Sequence, residues 1–375
     1  MGNKQKVCVI GSGNGAFTVA AKLSLGGSDV ILWDCPEFKE NLEAIRDERK
    51  IYVEENGERR EAILYMVTGD MKEALDEADI ILVVIPSFAF AKTAKSMVPY
   101  LRNGQYVFLC AGSTGGALEV AKIFHDEGVL EKIKLGEYCT LPYGCKKTGS
   151  NEVRIATVLK YNLFSAFPAR ENEEVFPVAA ALFDNVKPAM DVVECSLNNG
   201  NILSHGPVML LNAAHTEGAP DNYHYRDGIT PSVARLLDKM DEERMAVGDA
   251  LGHPHISLAQ SYVYKGYCPQ LEQTTYETFR SSDDFMHSAG PTTLNHRYMT
   301  EDIPFSALPV AVLGKQLGIK TPLIEALITL SEGLMDSDYR NSGRTASRLG
   351  IDGKNREEII NFLRDGYPEQ AKSAS

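Results

Sequence analysis

The sequence predicts an α/β N-terminal domain of the Rossmann type, with a mostly parallel sheet, followed by an all-α C-terminal domain. Three observations carry this. Residues 6–34, KVCVIGSGNGAFTVAAKLSLGGSDVILWD, read as strand, glycine turn, helix and second strand. Strand and helix patterns alternate through roughly the first half. From residue 194 onward helical periodicity dominates and convincing strands are missing. The expected division is residues 1–190 and 191–375.

The glycine turn needs its residues in this order. Gly11 allows the sharp turn, Gly13 lets backbone approach a pyrophosphate, and Ala16 lets the helix pack close to the sheet. The helix N-terminus offers unpaired N–H groups and a partial positive charge. Gly11, Gly13, Asn14, Gly15 and Ala16 are therefore the expected phosphate contacts. Asp34 ends the second strand, 23 residues after Gly11, where a carboxylate can accept bonds from both ribose hydroxyls. It would repel a 2′-phosphate, so the expected cofactor is NAD; NADP stays open if a nearby Lys or Arg reaches the ribose.

Further elements follow in order. Residues 36–49 read as helix, and 51–67 as two short strands around a turn at Glu55–Glu58. A helix at 70–77 precedes the buried strand 78–86, and a helix at 88–101 precedes the strand 105–112. A second glycine turn opens the helix within 114–128. Strands are expected near 133–138, 152–159 and 162–167, and a helix near 172–185. Pro86, Ser87 and Phe88 end one strand at the sheet's carboxyl edge; Gly112, Ser113 and Thr114 end the next. Pro86, Ser87, Gly112 and Thr114 are candidate contacts to the nicotinamide half, against the alternative of ordinary connecting loops. In the second half, helices are expected at 195–217, 231–251, 256–265, 305–317 and 321–336, with Thr230-Pro231 as a capped start. A short polar tail covers 370–375. The catalytic pocket belongs in the cleft between the domains.

Composition narrows the class. The chain has 375 residues, enough for two cores, and its 44% hydrophobic and 24% charged residues fit a soluble enzyme. Net charge of −13 argues against nucleic acid as a partner. No apolar stretch is long enough for a membrane span and no leader pattern is seen, so the expectation is a cytoplasmic protein. Seven scattered cysteines without a CxxC pair read as reduced thiols, and no metal is expected. His253 and His255 read as loop residues rather than a metal pair.

On a single helix over 195–217, Asn198, Asn201, His205 and Asn212 share one face. Such a polar stripe is costly unless something polar meets it. That partner is either substrate with nicotinamide, or neighbouring helices in a polar seam. A second cluster, PTTLNHRYMTED at 291–302, gathers Asn295, His296, Arg297, Glu301 and Asp302; alone it reads equally as a solvated loop.

Three segments, SLNNGNILSHGPVMLLNAAHTEG, GITPSVARLLDKMDEERMAVGDALG and AGPTTLNHRYMTEDIP, resemble the C-terminal domain of the opine dehydrogenases, the octopine, nopaline and N-(1-carboxyethyl)norvaline dehydrogenase group. The GSGNGA turn, CAGSTGGALE and DSDYRNSGRT fit the same family. The resemblance implies reductive condensation of an amino acid with a 2-oxo acid, often pyruvate, to a secondary amine. It also implies that His205 is the catalytic histidine, Asp302 the aspartate orienting it, and Arg297 the group binding a substrate carboxylate. Asn198 and Asn201 are the further candidates on the substrate side. A carboxylate beside an imidazole stabilises imidazolium, so the pKa of His205 is expected to be raised by Asp302. The expected partners are these small molecules, and the helical domain offers surfaces for a homodimer. Tyr298 is expected to pack rather than to catalyse. Two rivals remain: a ketopantoate- or glycerol-3-phosphate-type reductase, and a nicotinamide-sensing module without catalysis. The first generally uses an early lysine of the second domain, and residues 190–230 contain none.

Overall fold

The computed structural model describes residues 5–219 and 221–368; the polar tail at 370–375 lies outside them. Among the described residues twelve strands build two sheets: β1 (Lys6–Ile10), β2 (Asp29–Trp33), β3 (Lys50–Glu55), β4 (Glu58–Ile63), β5 (Met66–Thr68), β6 (Ile80–Val83), β7 (Gln105–Cys110), β8 (Ile133–Tyr138), β9 (Tyr143–Gly149), β10 (Glu152–Val158), β11 (Asn162–Phe167) and β12 (Val186–Pro188). The main sheet has the order β12-β11-β8-β7-β6-β1-β2-β5. Its run from β8 to β5 is parallel, and β11 turns antiparallel to β8. All four residues of β6 are buried, as an interior parallel strand covered on both faces requires.

The second sheet, β4-β3-β10-β9, was not expected as a separate layer. It lies on the helix Asn14–Leu25, opposite the main sheet. That helix is covered on both sides, and Ala16 to Ala21 are all buried. Residues 36–49 are less helical than expected, with one short helix at Lys39–Glu43 after a 3₁₀ turn.

Past Pro188 the chain is helical; the only β pairing there among the described residues is an isolated bridge, Tyr223 to Ala289. Thr230 caps the helix Pro231–Leu251 as expected, accepting from Val233 N–H, and a left-handed Gly252 ends it. The single helix expected at 195–217 is absent. Four pieces replace it: Val192–Leu197, Asn201–Ser204, Gly206–Leu211 and Ala213–Gly218. Pro207 has no N–H to donate and starts a new turn. Tight packing adds to the break: a Cβ on Gly206 would meet Ile303 Cδ1 at 2.4 Å. His205 sits at the break with φ −106° and ψ −80°, outside helical geometry.

One hydrophobic core fills the face of the main sheet that carries Phe90 and Phe124 and continues into the helical half through Leu197, Leu237 and Ile328. A second surrounds the helix Asn14–Leu25. The last segment returns to the first half. Arg344 is fully buried and pairs with Glu119 at 2.9 Å. It also donates to the carbonyls of Gly112, Thr114 and Phe305. Phe362 and Tyr367 then pack on Phe167.

Arg344→Met would leave these acceptors in the core without their donor. Loss of one partner of a buried pair costs on the order of 3–5 kcal/mol. The urea unfolding midpoint should fall accordingly, and an unchanged midpoint would contradict the assigned role.

Candidate functional site

Gly11 has φ +117°, and a Cβ there would lie 2.5 Å from the Val84 carbonyl oxygen, so only glycine fits. Gly13 caps the helix Asn14–Leu25 with its backbone alone. A Cβ on it would meet nothing within 4 Å, so the turn can be approached from outside. The first-turn N–H groups have no side-chain cap. Ala16 is buried, and Gly15 packs on Leu141. The Asn14 side chain braces the turn, since its Oδ1 accepts from Lys147 N–H at 3.0 Å and ties it to β9. Asp34 follows β2 and is 7% exposed. It accepts from Ser12 Oγ at 2.5 Å and Cys35 N–H at 2.7 Å, while Asn41 donates to Ser12. An open glycine backbone, an uncapped helix and a fixed carboxylate at the second strand's end fit a dinucleotide. Gly11, Gly13, Gly15, Ala16 and Asp34 are the residues that would hold it.

At the neighbouring edge Pro86 and Phe88 are exposed. Ser87 is buried; its N–H donates to Glu301 Oε1 at 2.8 Å and its hydroxyl meets Ser113 Oγ at 2.6 Å. Gly112 and Thr114, the other candidate contacts, lie deeper in the fold. Both are buried, with carbonyls bound by Arg344, and Thr114 N–H donates to the Phe305 carbonyl at 3.1 Å. Their loop joins the two halves, and the Thr114 hydroxyl is buried there without a hydrogen-bond partner.

His205 and Asp302 meet. Nδ1 and Oδ2 lie 2.9 Å apart, and the side chains are 7% and 4% exposed. The Tyr298 ring stacks on the imidazole at 3.8 Å and 18°. Asp302 stands immediately before a π-helical turn, Ile303–Ala307, and Glu301 beside it makes the bond to Ser87. Arg297 begins the short helix Arg297–Thr300; its Nε is 3.7 Å from Glu301 Oε2 and its side chain is half exposed.

The asparagine stripe does not form, because the helix is broken. Asn198 donates to the carbonyls of Glu194 at 2.9 Å and Pro254 at 3.4 Å, which makes it a brace rather than a substrate contact. Asn212 is likewise held by Val208 and Gly228. Asn201 is half-buried at the start of its helix piece. Tyr298, expected only to pack, lies against the imidazole; no pattern within its own segment signals a contact with a residue so distant in the chain.

The expected rise in the His205 pKa is overturned. Burial holds its imidazole well below the usual range, and the Arg297 and His296 charges add to this. Burial also lifts the Asp302 carboxyl to about 7, against the opposing pull of Arg297 and His296. Both groups are driven toward their uncharged forms. A cavity of about 610 Å³ is lined by Pro231, Asp238, Gln260 and Thr274 among others, and by none of these site residues. Among the described residues no group of His, Cys, Asp or Glu could hold a metal.

Residues 188–335 match the family model described as NAD/NADP octopine/nopaline dehydrogenase, alpha-helical domain. Residues 6–129 match the NAD-dependent glycerol-3-phosphate dehydrogenase N-terminus. The chain is 33% identical over 345 residues to an opine dehydrogenase of Arthrobacter sp. (strain 1C), covering 92% of this chain and 95% of that one. It is similar in fold to octopine dehydrogenase solved with NADH and L-arginine, with TM-score 0.76, 17% identity, and coverage of 98% and 100%. The same enzyme solved with NADH and pyruvate gives TM-score 0.75 at 18% identity, with coverage of 98% and 100%.

The raised Asp302 pKa has a direction for stability. Its folded value near 7 exceeds the unfolded 3.8, so its contribution is full below about pH 4 and lost as pH rises through 7. Asp302→Asn cannot titrate. The melting temperature of wild type minus variant should therefore be larger at about pH 5 than at about pH 8; a difference that grows toward pH 8 would contradict the assignment.

Proposed function

Because this chain belongs to the opine dehydrogenase family, we propose that it condenses an amino acid with pyruvate, with His205, Asp302 and Arg297 as its machinery. It is an NAD(H)-dependent oxidoreductase acting on CH–NH bonds. The observation that carries the reading is the His205–Asp302 contact, linked through Glu301 to Ser87 at the edge of the dinucleotide domain.

The reaction needs a proton carrier twice. The amine nitrogen attacks the keto carbon, and the carbonyl electron pair moves to oxygen, which takes a proton. The carbinolamine nitrogen gives up a proton, the hydroxyl takes one, and the nitrogen lone pair expels it as water, leaving a protonated imine. With Nδ1 donating to Asp302, His205 keeps Nε2 to give or accept these protons. Asp302 holds that tautomer and offsets the positive charge when it forms. A guanidinium can grip a carboxylate through two parallel bonds, the role proposed for Arg297. Asn201 is retained as a substrate-side contact. When bound, NADH supplies the hydride that reduces the imine carbon. The reductase alternative lacks its usual lysine, since residues 190–230 hold none. All seven cysteines are free thiols, which suits the cytoplasm as the compartment. Among the described residues no helix is long and apolar enough to cross a membrane.

The test follows NADH oxidation with pyruvate alone, with pyruvate plus each of a panel of amino acids, and with neither. Fast oxidation should require both substrates; an equal rate with pyruvate alone would overturn the reading. In the active mixture His205→Ala should lower kcat by roughly 10²–10⁴-fold while NADH still binds.

A further inference from the structure

The glycine turn supplies backbone N–H groups and a helix dipole to a pyrophosphate, but no full positive charge. The protein carries a net charge of −13, and Asp34, Glu301 and Asp302 stand close to the same sheet edge. An anionic cofactor approaching that edge meets an unfavourable field unless a local cation offsets it.

The second sheet brings one there. Three residues of the β8–β9 connection and β9 touch the turn. Leu141 packs on Gly15, Cys145 Sγ lies 3.6 Å from the Asn14 carbonyl oxygen, and Lys147 N–H donates to Asn14 Oδ1. The backbone of Lys147 is thus fixed beside the helix N-terminus. Its ammonium sits 3.8 Å from the centroid of the Phe17 ring, in the first turns of that same helix. Among the described residues no carboxylate lies within 4 Å of it. Lys22, the lysine on the helix itself, is already paired with Glu55. Lys147 is half-buried, and burial pushes its pKa below the ordinary lysine value. An aromatic face is a weaker partner for a cation than an anion is, so the ammonium can leave it for a phosphate.

We propose that Lys147 is a cofactor-binding residue that pairs with the dinucleotide pyrophosphate, supplied to the glycine turn by the second sheet. The proposal rests on the dinucleotide site and not on the condensation chemistry. A protein that failed to join amino acid and pyruvate would still test it.

The experiment measures binding by NADH fluorescence, with ADP-ribose and adenosine as competitors, for wild type, Lys147→Met and Lys147→Arg. Met keeps the apolar stem over Phe17 and removes the charge. Its dissociation constants for NADH and ADP-ribose should rise roughly 10- to 100-fold, the range for a lost hydrogen bond to a charged group. Adenosine, which has no phosphate, should bind as before. Arg should restore NADH binding to within about threefold of wild type, since it keeps the cation. Unchanged affinities for NADH and ADP-ribose in Lys147→Met would overturn the proposal. So would an equal loss for adenosine, which would assign Lys147 to packing alone. If Lys147→Met does not fold, Lys147→Gln takes its place in the same titrations.

Discussion

The buried guanidinium of Arg344 is where the parts of this molecule meet. It reaches the Gly112–Thr114 loop at the carboxyl edge of the main sheet, Glu119 on the helix behind that loop, and the carbonyl of Phe305 three residues beyond Asp302. The position of Asp302 relative to the sheet edge is therefore set by one side chain from the end of the chain. The bond from Ser87 N–H to Glu301 fixes the same segment from the other side. With both anchors in place, a dinucleotide domain and a helical domain present their working groups to one another.

Within that frame, burial decides the state of the reacting groups. A carboxylate beside an imidazole would favour imidazolium if both stood in water. Here both are nearly solvent-free, and burial is the largest influence on each, pushing the imidazole down and the carboxyl up. The pair is poised near neutrality, a suitable condition for a group that must both give and take protons. The Tyr298 ring covers one face of the imidazole and limits its motion.

The parts of this design that were legible in the sequence are those governed by short-range rules. The turn at Gly11 and Gly13 needs only its own backbone geometry, and Thr230-Pro231 needs only a cap and a fixed φ. The meeting of His205 with Asp302 was reachable only through resemblance to a known family, because no local pattern links residues so far apart. The broken helix was half visible. Pro207 was a local warning, but the contact of Gly206 with Ile303 was not. The surroundings of Asn198, Gly112 and Thr114 were not legible for one reason: the groups that bond Asn198 and the Gly112 and Thr114 backbone, namely Pro254, Arg344 and Phe305, are brought near only by the fold. The strand β9, YGCKKTG, has neither a continuous apolar run nor clean alternation, and its role emerges from its contact with Asn14.

The most direct test of the proposed chemistry is the protonation of the His205 ring, read by ¹⁵N NMR of histidine-labelled protein across a pH series, with His205→Gln to assign the signal. The expected result is a neutral imidazole at about pH 8, protonated at Nδ1 and bare at Nε2, since Nδ1 lies 2.9 Å from Asp302, whose carboxylate can only accept once ionised. A ring carrying its proton on Nε2, or one that is fully imidazolium at that pH, would contradict it.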